Sequence, residues 1–274
     1  MTKLLFLGSG SAFTVGADNF QSNMLLIKED GKQLLIDCGS DIRFSLHAVG
    51  LSYINISDIY ISHLHADHAG GLEYIAMTTK FDPRCEKPSL YLSKELASEL
   101  WERTLSGGMK SVEGDINDLE SFFVVNKIGQ ENRCFHWAGI TFNLIKVIHV
   151  NSGYFIMPSY GLFFEVDGVK VFLTTDTQFN LDVMGNLYEE ADIIFHDCET
   201  ALYPSPVHAH YQQLLTLPRK IKQKMWLYGY QPGKLPDAKN DGFLGFVKRG
   251  QVVDFSSLNY NFEKIIIYDN NRYL

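Results

Sequence analysis

The stretch "ISHLHADHAGG", residues 61–71, contains three histidines and one aspartate within six consecutive positions, 63–68. The preceding "DIYIS" has the apolar character of a buried strand, and the following "LEYIAMTTK" has apolar residues at helical spacing. The cluster is therefore predicted to lie on a loop between a strand and a helix. Open α/β sheets carry their functional residues on loops of this kind.

The spacing within this cluster indicates metal binding. In an extended chain, His63 and His65 point to the same side, because side chains alternate with a period of two. Asp67 and His68 then turn away, so two pairs of ligands can face two neighbouring metals. Imidazoles and carboxylates in this arrangement suit zinc or a similar divalent ion. The alternative is a hydrated loop whose histidines bind no metal.

The rest of the chain has the pattern of an α/β protein. Each half of the 274 residues contains a run of strands followed by strand and helix units. This predicts one domain over residues 1–274, with two sheets packed face to face and helices outside. Residues 106–117, "SGGMKSVEGDIN", are glycine-rich and polar, which is typical of a mobile lid or a surface loop.

Composition and charge restrict the classes of partner. The net charge of −8 disfavours long nucleic acids, whose binders usually present a basic field, but it allows a small anion held by bound metal. No apolar run approaches the roughly 20 residues of a membrane span. The first apolar run is too short for a signal peptide and is predicted to be a strand. With four widely spaced cysteines, a cytoplasmic protein with reduced thiols is expected.

Several motifs together resemble the metallo-β-lactamase fold superfamily, and the resemblance covers nearly the whole chain. The cluster matches its HxHxDH signature, and "LLIDCGSDIRFSL" is similar to the strand and turn before it, with Asp37 in the structural acidic position. The segment "KVIHVNSGYFIMPSYGLFFEVDGVKVFLTTDT" resembles the one that supplies a third histidine and a bridging aspartate. The family fold is an αββα sandwich of two mixed sheets. The implied metal ligands are His63, His65, Asp67, His68, His149 and Asp176.

Within the superfamily, the chain is most similar to the tRNase Z-like phosphodiesterases. Its "FLGSGSAFTVGADNFQSN" resembles their opening segment, and "FHDCETALYPSPVHAHYQQL" resembles the segment with their paired glutamate and histidine, here Glu199 and His208. In this interpretation Asp67 orients the attacking group. His208, steadied by Glu199, protonates the leaving oxygen. His210 is a rival for the donor role, and either histidine could instead cap the following helix.

One position departs from the family pattern. The resemblance implies a histidine at the end of "KMWLYGYQP" to complete the second metal site, but this chain has Gly229. We therefore expect two divalent ions, most simply Zn²⁺, with the second site under-occupied and activity that this glycine can impair. Water, substrate or a movable neighbour such as His210 could replace the missing bond.

The likeness extends to the anti-Pycsar proteins, on the run "CET...VHAHYQQLLTLP...KMWLY". It implies a phosphodiesterase for cyclic mononucleotides used as antiviral signals, of phage or bacterial type. It also implies a homodimer in which a loop, such as residues 106–117, covers the partner's active site. The alternatives are a tRNase Z-type 3′ endoribonuclease, a non-catalytic protein that sequesters a nucleotide, and a carboxyl-ester or lactone hydrolase. No basic insertion of the kind that grips tRNA is apparent in the sequence.

Overall fold

The computed structural model of the chain describes residues 1–15, 18–112 and 114–258. The predicted domain extends to residue 274, so residues 259–274 lie outside the described part. The strands are β1 (Thr2–Phe6), β2 (Met24–Lys28), β3 (Gln33–Ile36), β4 (Asp58–Ile61), β5 (Ser89–Ser93), β6 (Ser111–Val112), β7 (Asp115–Ile116), β8 (Val124–Ile128), β9 (Cys134–Trp137), β10 (Ile140–Asn151), β11 (Ile156–Val166), β12 (Val169–Leu173), β13 (Ile193–Asp197), β14 (Met225–Tyr228), β15 (Gly245–Phe246) and β16 (Val252–Asp254).

The helices are mostly short. They are α1 (Ile42–Ala48), α2 (Ala66–Ala69), α3 (Leu72–Phe81), α4 (Lys94–Glu99), α5 (Ser106–Met109), α6 (Leu181–Glu190), α7 (Tyr211–Leu214), α8 (Arg219–Lys222) and α9 (Phe255–Leu258). A π-helical turn at Leu100–Leu105 joins α4 to α5, and 3₁₀ turns lie at Tyr53–Asn55 and Leu119–Ser121. Within the described ranges, no helix has both the length and the apolar character to cross a bilayer.

Two seven-stranded mixed sheets form the centre of the protein. The first has the order β16-β1-β2-β3-β4-β5-β8, and the second has the order β15-β14-β13-β12-β11-β10-β9. Pairing is parallel from β3 to β8 in the first sheet and from β12 to β15 in the second. The other pairs in both sheets are antiparallel.

Aromatic side chains join the inner faces of the two sheets. The rings of Phe6 and Phe195 lie 5.3 Å apart between centroids, and the Tyr60 hydroxyl donates to the Tyr160 carbonyl at 2.8 Å. On the outer face of the second sheet, Tyr188 of α6 packs against Phe172 at 6.1 Å. The predicted sandwich of two mixed sheets with helices outside is confirmed.

Residues 106–117 differ from the predicted loop. They form α5 and then a hairpin of β6 and β7, with residue 113 outside the described part. Met109 is fully buried, and Nζ of Lys80 donates to Oδ1 of Asn117 at 2.9 Å. The three glycines in this segment predict a loop, but burial of Met109 and the hydrogen bond of Asn117 to α3 favour local secondary structure.

The carboxyl ends of the parallel strands position the functional residues. Asp37 follows β3, and the histidine cluster follows β4. In the second sheet, Asp176 follows β12, Asp197 ends β13 and Gly229 follows β14. Because the two sheets face each other, these strand ends meet at one rim of the sandwich.

Candidate metal centre and catalytic site

Three imidazoles form the first ligand group. Nδ1 of His65 lies 3.1 Å from Nε2 of His63 and 3.0 Å from Nε2 of His149. Around a tetrahedral zinc ion with bonds of about 2.0–2.1 Å, neighbouring nitrogens are about 3.3 Å apart. The three nitrogens therefore fit a divalent ion with little adjustment. His149 lies in this group, where the resemblance to the metallo-β-lactamase fold places the third histidine.

Asp67, His68 and Asp176 form the second group. Nε2 of His68 lies 3.1 Å from Oδ2 of Asp67 and 3.2 Å from Oδ2 of Asp176. The same oxygen of Asp176 lies 3.8 Å from Nε2 of His149 and 4.0 Å from Nε2 of His63. Asp176 thus lies between the two groups, where a carboxylate can be shared by two ions.

A short helix separates the two halves of the motif. His65 precedes α2 in an extended conformation, whereas Asp67 and His68 lie within its single turn. The change from strand to helix rotates the later pair away from His63 and His65. Extended backbone therefore puts His63 and His65 on one side, and the turn of α2 directs Asp67 and His68 to another.

Fixed hydrogen bonds determine which nitrogen of each histidine faces the centre. Nδ1 of His68 donates to Oδ2 of Asp37 at 2.7 Å, and Nδ1 of His149 donates to the Val207 carbonyl at 2.8 Å. Nδ1 of His63 donates to Oγ of Ser62 at 3.0 Å. In the neutral form of each imidazole, Nε2 is therefore the lone-pair nitrogen, which is how outer-shell partners orient metal ligands.

Asp37, which orients His68, has an unusual backbone conformation. Its φ of 64° lies in the left-handed region, where aspartate and asparagine are tolerated best among residues other than glycine. Its carboxylate accepts from the backbone N–H and Oγ of Ser62, both at 2.8 Å, as well as from His68. One buried carboxylate therefore ties the end of β3 to the start of the histidine cluster.

We expect Asp37→Asn to lower zinc affinity about 10–100-fold, because loss of the carboxylate charge weakens its hold on Nδ1 of His68. Asparagine tolerates the left-handed backbone, so the substitution isolates this charge. Competition against a chromophoric chelator measures the change, with the exposed Asp30→Asn as control. Equal affinities for both variants would contradict an orienting role for Asp37.

Electrostatics favour the metal-binding protonation states of His63 and Asp176 but not that of His68. Burial would lower the pKa of His68, but the carboxylates of Asp176, Asp67 and Asp37 outweigh it and raise this pKa well above its usual value, so metal binding at His68 releases a proton. Burial lowers the pKa of His63 well below its usual value, and the charge of His68 lowers it further. Burial alone would raise the pKa of Asp176, but the positive charge of His68 outweighs it and holds the pKa well below its usual range. A neutral imidazole and an ionised carboxylate are the ligand forms of these side chains.

A buried ion pair lies beside the metal ligands. Nδ1 of His208 donates to Oδ2 of Asp197 at 2.7 Å and lies 3.9 Å from Oδ2 of Asp176. Burial would lower the pKa of His208, but the charge of Asp197 and this hydrogen bond outweigh it and raise the pKa to about 10. His208 is therefore a cation at neutral pH, placed next to the shared carboxylate.

Glu199, the predicted partner of His208, has other contacts. Its Oε2 accepts from the backbone N–H of Ser205 at 2.7 Å, and its backbone pairs with Ala209 and Tyr211. The hydrogen-bonded carboxylate at His208 belongs to Asp197 instead. The chain turns after β13, so Asp197 faces the site whereas Glu199 supports the segment that leads to His208.

His210 caps a helix. Its side chain accepts from the backbone N–H of Gln212 at the start of α7, and Nε2 donates to the Ala201 carbonyl at 2.9 Å. Among the described residues, the groups with metal-ligand spacing include His208 but not His210. The capping alternative therefore describes His210, and a role for it at Gly229 has no geometric support.

Comparison with known proteins identifies the family. A family model described as Anti-Pycsar protein Apyc1 matches residues 2–253. The chain belongs to the Apyc1 family. The Apyc1 protein of Paenibacillus harenae is 36% identical over 225 residues, which is 82% of this chain and 88% of that relative. The Apyc1 protein of Bacillus phage vB_BveM-Goe7 is 30% identical over 262 residues, with 92% of this chain and 98% of the relative covered.

Solved structures show the same fold as this Apyc1-family chain. The metallo-β-lactamase fold protein YhfI from Bacillus subtilis superposes with a TM-score of 0.68 at 16% identity, over 93% of this chain and 100% of that one. Human tRNase Z, short form, superposes with a TM-score of 0.66 at 19% identity, over 92% and 98%. The predicted likeness to the metallo-β-lactamase fold and to anti-Pycsar proteins is confirmed.

Asp197 is the residue that the sequence analysis missed in this Apyc1-family site. It ends the fully buried strand "IIFHD", and a polar residue at the carboxyl end of a buried parallel strand is a recognisable signal for a site residue. The same rule applies to Asp176, which follows β12. Applied to every strand, it would have indicated Asp197 ahead of Glu199.

Proposed function

We propose that this Apyc1-family chain is a metal-dependent phosphodiesterase that hydrolyses 3′,5′-cyclic mononucleotides of the cyclic CMP, UMP, AMP and GMP type. The observation that carries the proposal is the ion pair of His208 and Asp197, 3.9 Å from the shared carboxylate of Asp176. Opening the phosphodiester ring releases a ribose alkoxide, which needs a proton. A protonated imidazole beside the metal ligands supplies that proton.

The ligand groups fit two zinc ions. The three nitrogens of the first group have the donor type and spacing of a catalytic zinc site. In the second group, Nε2 of His68 lies 3.1 Å and 3.2 Å from carboxylate oxygens of Asp67 and Asp176, and zinc also accepts such oxygens. When bound, two such ions polarise the phosphate and activate a water nucleophile. We propose that Asp67, whose Oδ2 lies 3.1 Å from Nε2 of His68, accepts a hydrogen bond from that water and orients it.

The proposed reaction is a balanced hydrolysis. The oxygen of water forms a bond to phosphorus while the bond from phosphorus to one ribose oxygen breaks. His208 gives its proton to the released oxygen. The proton lost by the water then returns His208 to its protonated form. The product is a linear nucleoside monophosphate, and Asp197 holds the imidazole in place throughout.

The substrate is proposed to be a small anion. A net charge of −8 gives no general attraction for a polyanion, whereas a single phosphodiester can be neutralised by two bound ions. This favours a cyclic nucleotide over the pre-tRNA of the tRNase Z alternative. We also propose that the chain acts in the cytoplasm, where its four cysteines, which form no disulfide, stay reduced.

A homodimer is proposed as the working assembly. Apolar side chains are exposed close in sequence to two site residues: Tyr154, five residues after His149, is fully exposed, and Tyr203, five residues before His208, is 83% exposed. Exposed apolar surface beside a site favours an interface, and here we propose a second copy of the chain. A mass in solution of 31.1 kDa by light scattering would contradict it.

The test is turnover by the zinc-reconstituted chain. Four cyclic nucleotides are incubated separately with it, alongside a pre-tRNA and a lactone, and products are separated by chromatography. We expect at least one linear monophosphate, and we expect a chelator to abolish its formation. The same chain stripped of metal and then reloaded is the matched control.

The other outcomes identify the alternatives. Cleavage of the pre-tRNA without turnover of any cyclic nucleotide would indicate a 3′ endoribonuclease. Recovery of bound, intact nucleotide would indicate a sequestering protein. Turnover of the lactone alone would indicate an ester hydrolase.

A further inference from the structure

One oxygen of the Asp197 carboxylate has no assigned partner. The side chain is fully buried, and its Oδ2 accepts from Nδ1 of His208 at 2.7 Å and from the backbone N–H of Thr177 at 3.0 Å. Among the described residues, nothing donates a hydrogen bond to Oδ1. A buried, ionised oxygen without a partner is costly, so a proton donor or a cation at this position is expected.

Gly229 lies directly against that oxygen. A Cβ atom at position 229 would be 2.6 Å from Oδ1 of Asp197, closer than real Cβ contacts. The backbone there has φ of 79°, in the left-handed region that favours glycine. The carboxylate therefore occupies the space that a side chain at 229 would need, and Gly229 is required by its neighbour as well as by its own conformation.

The second ligand group leaves one position of a tetrahedral zinc ion open. Asp67, His68 and Asp176 offer three ligand atoms, and the fourth position is filled by water or substrate in catalytic sites and by a protein ligand in structural ones. Asp197 adjoins this group through His208, whose Nδ1 lies 2.7 Å from Oδ2 of Asp197 and 3.9 Å from Oδ2 of Asp176. The carboxylate that carries the unpartnered oxygen and the second ligand group therefore share His208 as a neighbour.

We propose that Oδ1 of Asp197 is the fourth protein ligand of the metal held by Asp67, His68 and Asp176. Gly229 leaves room for it. This inference rests on the two-metal site of the proposed function. Oδ2 keeps its hydrogen bond to His208, so one carboxylate holds both the metal and the proton donor. Metal-binding carboxylates commonly carry such a hydrogen bond.

The first experiment counts bound zinc in Asp197→Asn. Zinc-reconstituted chains are desalted, and their metal is measured by mass spectrometry, with affinities from chelator competition. We expect two equivalents in the unmodified chain. In the variant we expect one, with the dissociation constant of the second raised at least about 10–100-fold. Glu199→Gln, the neighbouring buried carboxylate, is the matched control and keeps two equivalents. Unchanged affinity in Asp197→Asn overturns the proposal.

A second pair of variants keeps the test valid if Asp197→Asn folds poorly. In Gly229→Ala, the new Cβ displaces Oδ1, so the second equivalent is expected to be lost as in Asp197→Asn. His208→Gln leaves Oδ1 in place and is expected to keep both. Loss of the second zinc in His208→Gln would assign the ligand to His208, and retention in Gly229→Ala would remove the link to Gly229; either result overturns the proposal.

The zinc measurements do not depend on turnover. If the unmodified chain binds two zinc ions and Asp197→Asn binds one, the ligand assignment holds even when no cyclic nucleotide is hydrolysed. If cyclic nucleotides are hydrolysed and Asp197→Asn still binds two ions with unchanged affinity, the ligand assignment fails and the proposed function stands.

Discussion

Replacement of Asp176 by alanine is expected to lower kcat/KM for cyclic nucleotides by about 10³-fold or more. Its Oδ2 lies 3.2 Å from Nε2 of His68, in the second ligand group. The same oxygen lies 3.8 Å from Nε2 of His149, in the first group. Loss of this carboxylate weakens both sites at once, and metal stabilisation of a phosphoryl transition state contributes several kcal/mol, with about 1.36 kcal/mol for each factor of ten.

Zinc content and kinetics are measured on the same preparations of this variant. Asp176→Asn keeps the side-chain volume and is expected to lose activity as well, because an uncharged amide is a poor bridge between cations. The exposed Asp182→Asn is the control and should match the unmodified chain. An alanine variant that keeps two zinc ions and its rate would show that Asp176 is not a shared ligand.

The fold and the first half of the site were predictable because their signals are local. The strand before residue 61 and the helix after Gly71 appear as separate apolar periodicities. The spacing of His63 and His65 follows from strand alternation. His149 and Asp176 lie far along the chain, and only the resemblance to the family indicated them. In the structure His149 lies near the end of β10 and Asp176 follows β12, where the sandwich brings strand ends together.

The partner of His208 could not be chosen on local grounds. Asp197 and Glu199 are both acidic, both near the end of β13, and two positions apart, so alternation alone puts them on the same side. The bridge of the Glu199 backbone to Ala209 and Tyr211 turns the chain after the strand. That long-range pairing directs Glu199 to Ser205 and leaves Asp197 to face the site.

Gly229 shows a different limit of sequence reasoning. In the sequence, a glycine at this position indicates that a metal-binding histidine is missing, and Gly229→His is the obvious substitution to restore it. In the structure the left-handed backbone and the carboxylate of Asp197 leave no room for a side chain. Whether a glycine marks a loss or a requirement depends on its φ angle and on its nearest neighbour, and the residue type specifies neither.

His208→Gln is expected to lower kcat for cyclic nucleotides about 10²–10⁴-fold, the range for loss of a general acid. The ribose alkoxide is a poor leaving group, so loss of the proton donor slows cleavage of its bond to phosphorus. A p-nitrophenyl phosphodiester releases a stable anion and should lose far less activity. Because Asp197 raises the pKa of His208 to about 10, the donor stays protonated through neutral pH and is lost as the pH rises through that value.

Rates for both substrates across this pH range separate proton donation from a structural role. The unmodified chain should lose activity on cyclic nucleotides near the pKa of His208, and His208→Gln should lack that basic limb. The carboxylate of Glu199 contacts Ser205 and not His208. Glu199→Gln should therefore keep both the basic limb of the pH profile and the ratio of rates for the two substrates. If His208→Gln slowed both substrates equally, His208 would act on the metal site or on the fold, because only a proton donor distinguishes the leaving groups.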